Sequence, residues 1–150
     1  MTNPENDEKD EFDLRNFLPF LLNQAAEESS LEFQQVYKNR YGMLRTEWRV
    51  LFHLGNYGEM TAKDIGQRAK IHKTKISRAV AKLEQRRFLK RIRDEEDRRV
   101  ERLSLTQAGH SSYRELREIA QSYDAKLAAQ FTSGEVALLR MMLRRLAGMD

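Results

Sequence analysis

The chain has no cysteine among its 150 residues. That removes disulfide stapling, thiol redox sensing and a cysteine-ligated zinc site. No apolar run approaches the roughly 20 residues needed to span a bilayer, and no basic-then-apolar leader opens the chain. The expectation is a soluble cytoplasmic protein with no membrane partner. Histidine is also scarce: His53, His72 and His110 fall on three separate segments without metal-ligand spacing, so neither a metal nor a cofactor is expected. Acids, bases and nucleophiles do not converge either. The run Glu95-Glu96-Asp97 sits beside arginines in a polar turn, a poor place for general acid–base work, and no catalytic residue is expected.

What is present is charge. At 40% hydrophobic and 33% charged residues the composition is that of a globular protein with a heavily charged surface. The overall +4 hides a split: residues 1–13 carry six acids and one lysine, a net of −5, which leaves +9 on the remainder. Such an acidic stretch reads as a disordered solvated tail, with one domain following over 14–150. Between Arg68 and Arg93 there are eleven Lys or Arg against a single acid, Glu84. A chain that binds DNA needs cations of that density to meet the line of phosphates.

Leu14, Phe17, Leu18, Leu21, Leu22 and Ala25, resumed by Phe33, Val36 and Tyr37, recur with helical spacing and predict one long helix over 17–40. Asn16 would cap it, Pro19 is tolerated in its first turn, and Gly42 ends it. A second helix is expected to start at Thr46, bury Trp48, Leu51 and Leu54, and stop at Gly55-Asn56-Tyr57-Gly58. Thr61 and Asp64 form a capping box for a third helix that buries Ile65 and Ala69. The turn Lys70-Ile71-His72 leads to a fourth helix over 73–86. With Ile76 at zero on a helical wheel, Val80 and Leu83 lie within about 40° and Ala79 within about 60°, while Thr74, Arg78, Ala81, Lys82 and Gln85 take the far side. Arg and Lys can read guanine edges or phosphates, and Thr and Ser donate short hydrogen bonds in a major groove. Taken alone, that face reads equally well as a solvated helix surface.

The next segment changes the balance. Arg91 and Arg93 alternate with Ile92, Asp94–Arg99 is a polar turn, and Leu103 and Leu105 alternate on the return, as in a charged β-hairpin. Helix–turn–helix followed by such a hairpin is a winged helix, here about 46–105. The expected class is mainly α with a small β-hairpin wing. Beyond it, Thr106 caps a fifth helix with Tyr113, Leu116, Ala120, Tyr123 and Leu127 in 3–4 spacing; Thr132 and Glu135 box a sixth carrying Val136, Leu139, Leu143 and Leu146. These flanking helices, about 14–40 and 106–149, suit a homodimer interface; a larger monomer core is the alternative.

Over nearly all of residues 14–149 the sequence resembles the MarR family of bacterial transcription regulators. The resemblance rests on the order of elements, on Leu83–Arg91, on the wing Asp94–Arg99 with its Asp97-x-Arg99 pattern, and on Leu103–Gly109. It implies an obligate homodimer on double-stranded DNA, helix 73–86 as the recognition helix, Asp97 holding the wing through ion pairing, and Arg99, beside Arg98, entering the minor groove. One departure is Arg87, where the family usually has Gly to end the recognition helix in a left-handed conformation.

Function is then read in two layers. The first is a repressor on a pseudo-palindromic operator, with base contacts from Thr74, Lys75, Ser77, Arg78 and Lys82 and phosphate contacts from Lys63, Arg68, Lys70, Lys73 and Arg86. The second, implied by the resemblance, is release by a small aromatic or anionic effector in a cleft lined by Phe20, Tyr41, Trp48, Arg49, His53 and Tyr113. Each of these six has a simpler reading as core, solvent-facing or half-buried. Two rivals stand beside this account: a winged helix used as a protein-interaction module, and a DNA-binding regulator without a small-molecule ligand.

Overall fold

The structure, a computed structural model, describes residues 11–149. Most of the acidic tail expected over 1–13 lies outside the described residues. The chain falls into two units, Met1–Glu32 and Phe33–Asp150, divided inside the first long helix.

In the first unit, Asp13 accepts the Arg15 N–H at 2.9 Å and opens a short 3₁₀ turn, Leu14–Asn16. The expected cap Asn16 is therefore inside this turn, and the helix α1 begins later, at Leu18, with Pro19 in its first turn (Leu18–Tyr41). The later start has a local cause, since Asp13, three residues before Asn16, accepts the free Arg15 N–H and holds the 3₁₀ turn. Gly42, at φ +61°, ends α1 as expected.

The second unit is built around a buried cluster that includes Met43, Val50, Leu51, Leu54, Ile65, Ile76, Val80, Leu83, Leu89, Leu103, Leu105 and Leu116. Helix α2 (Arg45–Tyr57) starts one residue before the expected Thr46 and is capped through Glu47, whose Oε2 accepts the Leu44 N–H at 2.7 Å. It also runs through Gly55. That glycine is no stop signal: a Cβ there would lie 2.4 Å from the Tyr113 ring, so the missing side chain lets α2 and a later helix meet. The stop is Gly58, at φ +82°. Of the stripe expected on α2, Leu51 and Leu54 are buried and Trp48 is half-buried.

A two-residue strand that periodicity cannot reveal, β1 (Met60–Thr61), precedes α3 (Ala62–Ala69) and α4 (Lys73–Gln85). β2 (Leu89–Arg93) and β3 (Glu101–Leu105) form the hairpin, and the antiparallel sheet runs β1-β3-β2 with Met60 opposite Leu103 and Leu89 opposite Leu105. Thr106 caps α5 (Gln107–Ala128), accepting the Gly109 N–H at 3.0 Å, and Thr132 with Glu135 boxes α6 (Ser133–Leu146). No helix among the described residues is long and apolar enough to cross a membrane.

Candidate nucleic-acid interface

α3 and α4 are joined by a turn with two local fixings. Lys70 takes a left-handed conformation, φ 52°, and closes α3; His72 Nδ1 accepts the Thr74 N–H at 3.2 Å and opens α4. The accepting role leaves the imidazole proton on Nε2. α4 then buries Ile76, Ala79, Val80 and Leu83, the stripe the helical wheel predicts, against α2 and α3. Thr74, Lys75, Ser77, Arg78 and Lys82 are all exposed, as are Lys63, Arg68 and Lys73. Two shallow grooves flank this face. One, about 560 Å³, is lined by Lys63, Gln67, Ile71, Lys73 and Ser77; the other, about 510 Å³, runs between α4 and the start of α2 and brings Thr46 beside Lys75, Arg78 and Lys82. Thr46 was read only as a helix start, and no spacing within its own segment could tie it to α4.

At its C-terminal end α4 closes with a six-to-one bond, Phe88 N–H to Leu83 O at 2.9 Å, and Arg87 N–H to Glu84 O at 2.9 Å. This is the usual glycine-type helix end, and Arg87 occupies its left-handed position at φ 64°. Arg87 therefore takes the strained left-handed conformation in place of a different helix end. The wing is braced from below by Arg91, which pairs with Glu84 of α4 at 3.0 Å and with Glu101 of β3 at 3.2 Å. At the tip, Asp97 Oδ1 accepts both the backbone N–H of Arg99 at 3.1 Å and its Nε–H at 3.2 Å, and Asp94 accepts the Glu96 N–H at 2.9 Å. Arg98 and Arg99 stand exposed, the Arg99 side chain at 92%.

Three cations expected at phosphates have protein partners instead. Arg86 Nη1 donates to the Tyr41 carbonyl at 2.6 Å, at the C-terminal end of α1. Lys70 Nζ donates to the Ala147 carbonyl at the end of α6. Arg68 lies 4.3 Å over the Tyr57 ring. Helix C-termini carry unpaired carbonyls and partial negative charge, and a nearby cation is drawn to them as it would be to a phosphate.

The residues expected to share an effector cleft are distributed over several surroundings. Trp48 and Tyr113 both pack edge-on against Phe52, with ring centroids 5.1 and 5.2 Å away, and the Tyr113 hydroxyl donates to Asn56 at 2.8 Å. Arg49 Nη2 caps α3 through the Ala69 carbonyl at 2.7 Å, and burial followed by repulsion from Arg45 lowers its pKa. His53 Nδ1 lies 2.6 Å from the Arg49 carbonyl and so carries the proton. Tyr41 donates to Glu115 at 2.8 Å; burial and this contact push its pKa up to about 12, which keeps the donor protonated. Phe20 is half-buried in the first unit. Among the described residues none of the six lines either groove beside α4, and no group of three His, Asp or Glu could hold a metal ion.

A sequence profile of the MarR family matches residues 41–100, the stretch from the end of α1 through the wing tip. This winged helix belongs to the MarR family. Among relatives, the HTH-type transcriptional regulator YwoH of Bacillus subtilis is 27% identical over 109 residues, covering 70% of this chain and 79% of YwoH. The likeness of fold extends well beyond the matched residues. BpsR of Bordetella bronchiseptica, solved in a study of how 6-hydroxynicotinic acid regulates its DNA binding, superposes with a TM-score of 0.83 at 20% identity, covering 93% of this chain and 99% of BpsR. MepR of S. aureus, solved bound to DNA, gives 0.79 at 18% identity over 88% of this chain and 97% of MepR. At such identities the two superpositions speak for the fold. Through this matched winged helix the chain is similar to MarR-family transcription regulators.

Proposed function

We propose that the protein is a homodimeric repressor that binds a pseudo-palindromic operator, α4 entering the major groove of each half-site and Arg99 the adjoining minor groove. The observation that carries this reading is the outer face of α4: Thr74, Lys75, Ser77, Arg78 and Lys82 exposed on one side, the apolar stripe buried on the other. Protein-interface cores are depleted of lysine, so the same face argues against a protein-interaction module. Thr74, Ser77 and Arg78 supply the base donors, and Lys63 and Lys73 the phosphate contacts. Arg68, Lys70 and Arg86 must first release their intramolecular partners.

The dimer reading is supported by apolar residues that a soluble monomer has no reason to expose. On α6, Leu138, Leu139, Met141, Met142, Leu143 and Leu146 are between 38% and 59% exposed; in the first unit Leu14, Phe17, Leu18 and Leu21 are between 41% and 60% exposed. Exposed apolar residues in each of these places support association with a second copy. The effector reading, a small aromatic or anionic molecule acting on DNA affinity, is supported by the ligand named for BpsR and stays a proposal about Tyr41, Trp48, Arg49, His53, Tyr113 and Phe20.

The deciding experiment is a titration of the protein into the intergenic DNA beside its own gene and into scrambled DNA of equal length, at two salt concentrations. Tight binding to the native fragment alone, with two-fold symmetric protection over half-sites about 10 bp apart and a steep salt slope, is the expected result. Absence of binding to either DNA overturns the reading, and a monomeric mass by light scattering overturns its dimeric part.

A further inference from the structure

Glu47 is 1% exposed, and only one of its carboxylate oxygens has a use in α2: Oε2 accepts the Leu44 N–H. The other, Oε1, is buried with no hydrogen-bond partner. Capping uses one acceptor and the positive end of α2 suits the charge, but neither gives the second oxygen a partner. A buried anionic acceptor left unmade is costly, and its surroundings usually hold the missing donor. Glu47 lines the groove of about 510 Å³ whose opposite wall is the reading face of α4, with Lys75, Arg78 and Lys82. A buried orphan anion thus shares one groove with three exposed cations. The remaining α4 residues on that wall are Ala79 and Ala81, too small to stand between rim and floor.

We propose that Glu47 is a positioning residue for sequence reading: its free oxygen takes one N–H of the Arg78 guanidinium when α4 engages DNA. The inference rests on α4 being the base-reading helix. Arg78 is the middle cation of the three, one turn from each of the others. Its planar fork has five donors, so one edge can rest on a carboxylate while the other stays free for a bidentate contact to a guanine. A lysine has no such second edge. Held this way, the guanidinium meets the base in one orientation, and the gain is in discrimination between sequences more than in overall affinity.

The test is Glu47→Gln, which keeps the shape and the bond to Leu44 and puts an amide N–H₂ in place of the free oxygen. The DNA is the sequence that the wild-type protein selects from a random pool, compared with scrambled DNA. Affinity for the selected DNA is expected to fall roughly ten-fold, in the range of a lost bidentate base contact, with affinity for scrambled DNA unchanged and the melting temperature lowered by only about 1–3 °C, as a charge is lost from the start of α2. Arg78→Lys should lose the same discrimination. In an Arg78→Ala background Glu47→Gln should cost nothing further. An unchanged ratio in Glu47→Gln, or an equal loss in the Arg78→Ala background, overturns the role of Glu47. Failure of the wild-type protein to select any sequence instead overturns the DNA-reading assignment on which the inference depends.

Discussion

Replacing Arg87 by glycine should make the protein more stable and bind DNA less tightly. Arg87 sits at φ 64° in the helix-terminating position of α4, held there through its backbone: its N–H bonds Glu84 O at 2.9 Å and its carbonyl accepts the Thr106 hydroxyl at 2.6 Å. The neighbouring Phe88 bonds Leu83 and accepts from Thr106 N–H, so the chain cannot relax out of the left-handed region without breaking the α4–β2 junction. A side chain in that region costs about 1–2 kcal/mol. Glycine removes that strain and adds roughly 0.5–1 kcal/mol of backbone entropy to the unfolded chain. The net gain lies between about 0 and 1.5 kcal/mol, centred near ~0.75 kcal/mol, or ~2–3 °C in melting temperature for a chain of this size. The exposed guanidinium at the end of α4 disappears at the same time, and the slope of log affinity against log salt should flatten by about one. Thermal unfolding at fixed protein concentration, paired with DNA titrations at several salt concentrations, measures both. Arg87→Ala is the control, because it loses the charge and keeps the strain; it should weaken DNA binding without raising the melting temperature. A glycine variant no more stable than wild type would refute the strain argument.

Other expectations follow from the same contacts. Gly109→Ala should cost at least about 3 kcal/mol in urea unfolding, since a Cβ at Gly109 would lie 1.9 Å from the Phe88 carbonyl oxygen and backbone cannot turn aside. Arg78→Ala should relax sequence preference, while Arg99→Ala should weaken binding to the selected DNA, both read by competition with scrambled DNA. Glu115, hydrogen-bonded by Tyr41 and Arg40, has its pKa lowered. A lowered carboxylate contributes stability that is present above its unfolded pKa and lost as pH falls through the folded value. The difference in melting temperature between wild type and Glu115→Gln should therefore be present at neutral pH and vanish on acidification below the ordinary carboxylate range.

Several elements were legible in the sequence because their signals are local. Thr61, Thr106 and Thr132 each accept an N–H from three residues on, and the stripe of α4 needs only helical geometry. Three features were not legible, for different reasons. β1 is two residues long and has no period to detect. Leu44 precedes α2 without a capping side chain, the work being done from Glu47. Gly55 carries the ordinary mark of a helix end, yet its purpose is to admit Tyr113 from a segment 58 residues away. The candidate site divides in the same way. Which side chains leave the surface of α4 follows from the wheel. That Arg86, Lys70 and Arg49 turn toward carbonyls at the ends of α1, α6 and α3 depends on where those distant helices stop.

The contact at Gly109 has a mechanical meaning. α5 begins with its backbone pressed directly onto the carbonyl of Phe88 at the root of the wing, with no flexible side chain between them. Such a joint has almost no slack. The helix that leaves it is 22 residues, or about 33 Å, long. A tilt of about 10° at the joint therefore swings its far end by about 6 Å over that length. In a dimer held together through the outer helices, the same lever works in reverse. Were two copies to meet there, a small rotation at their contact would be passed along α5 to the root of each wing, and the spacing of the two winged helices would be set far from the wings themselves.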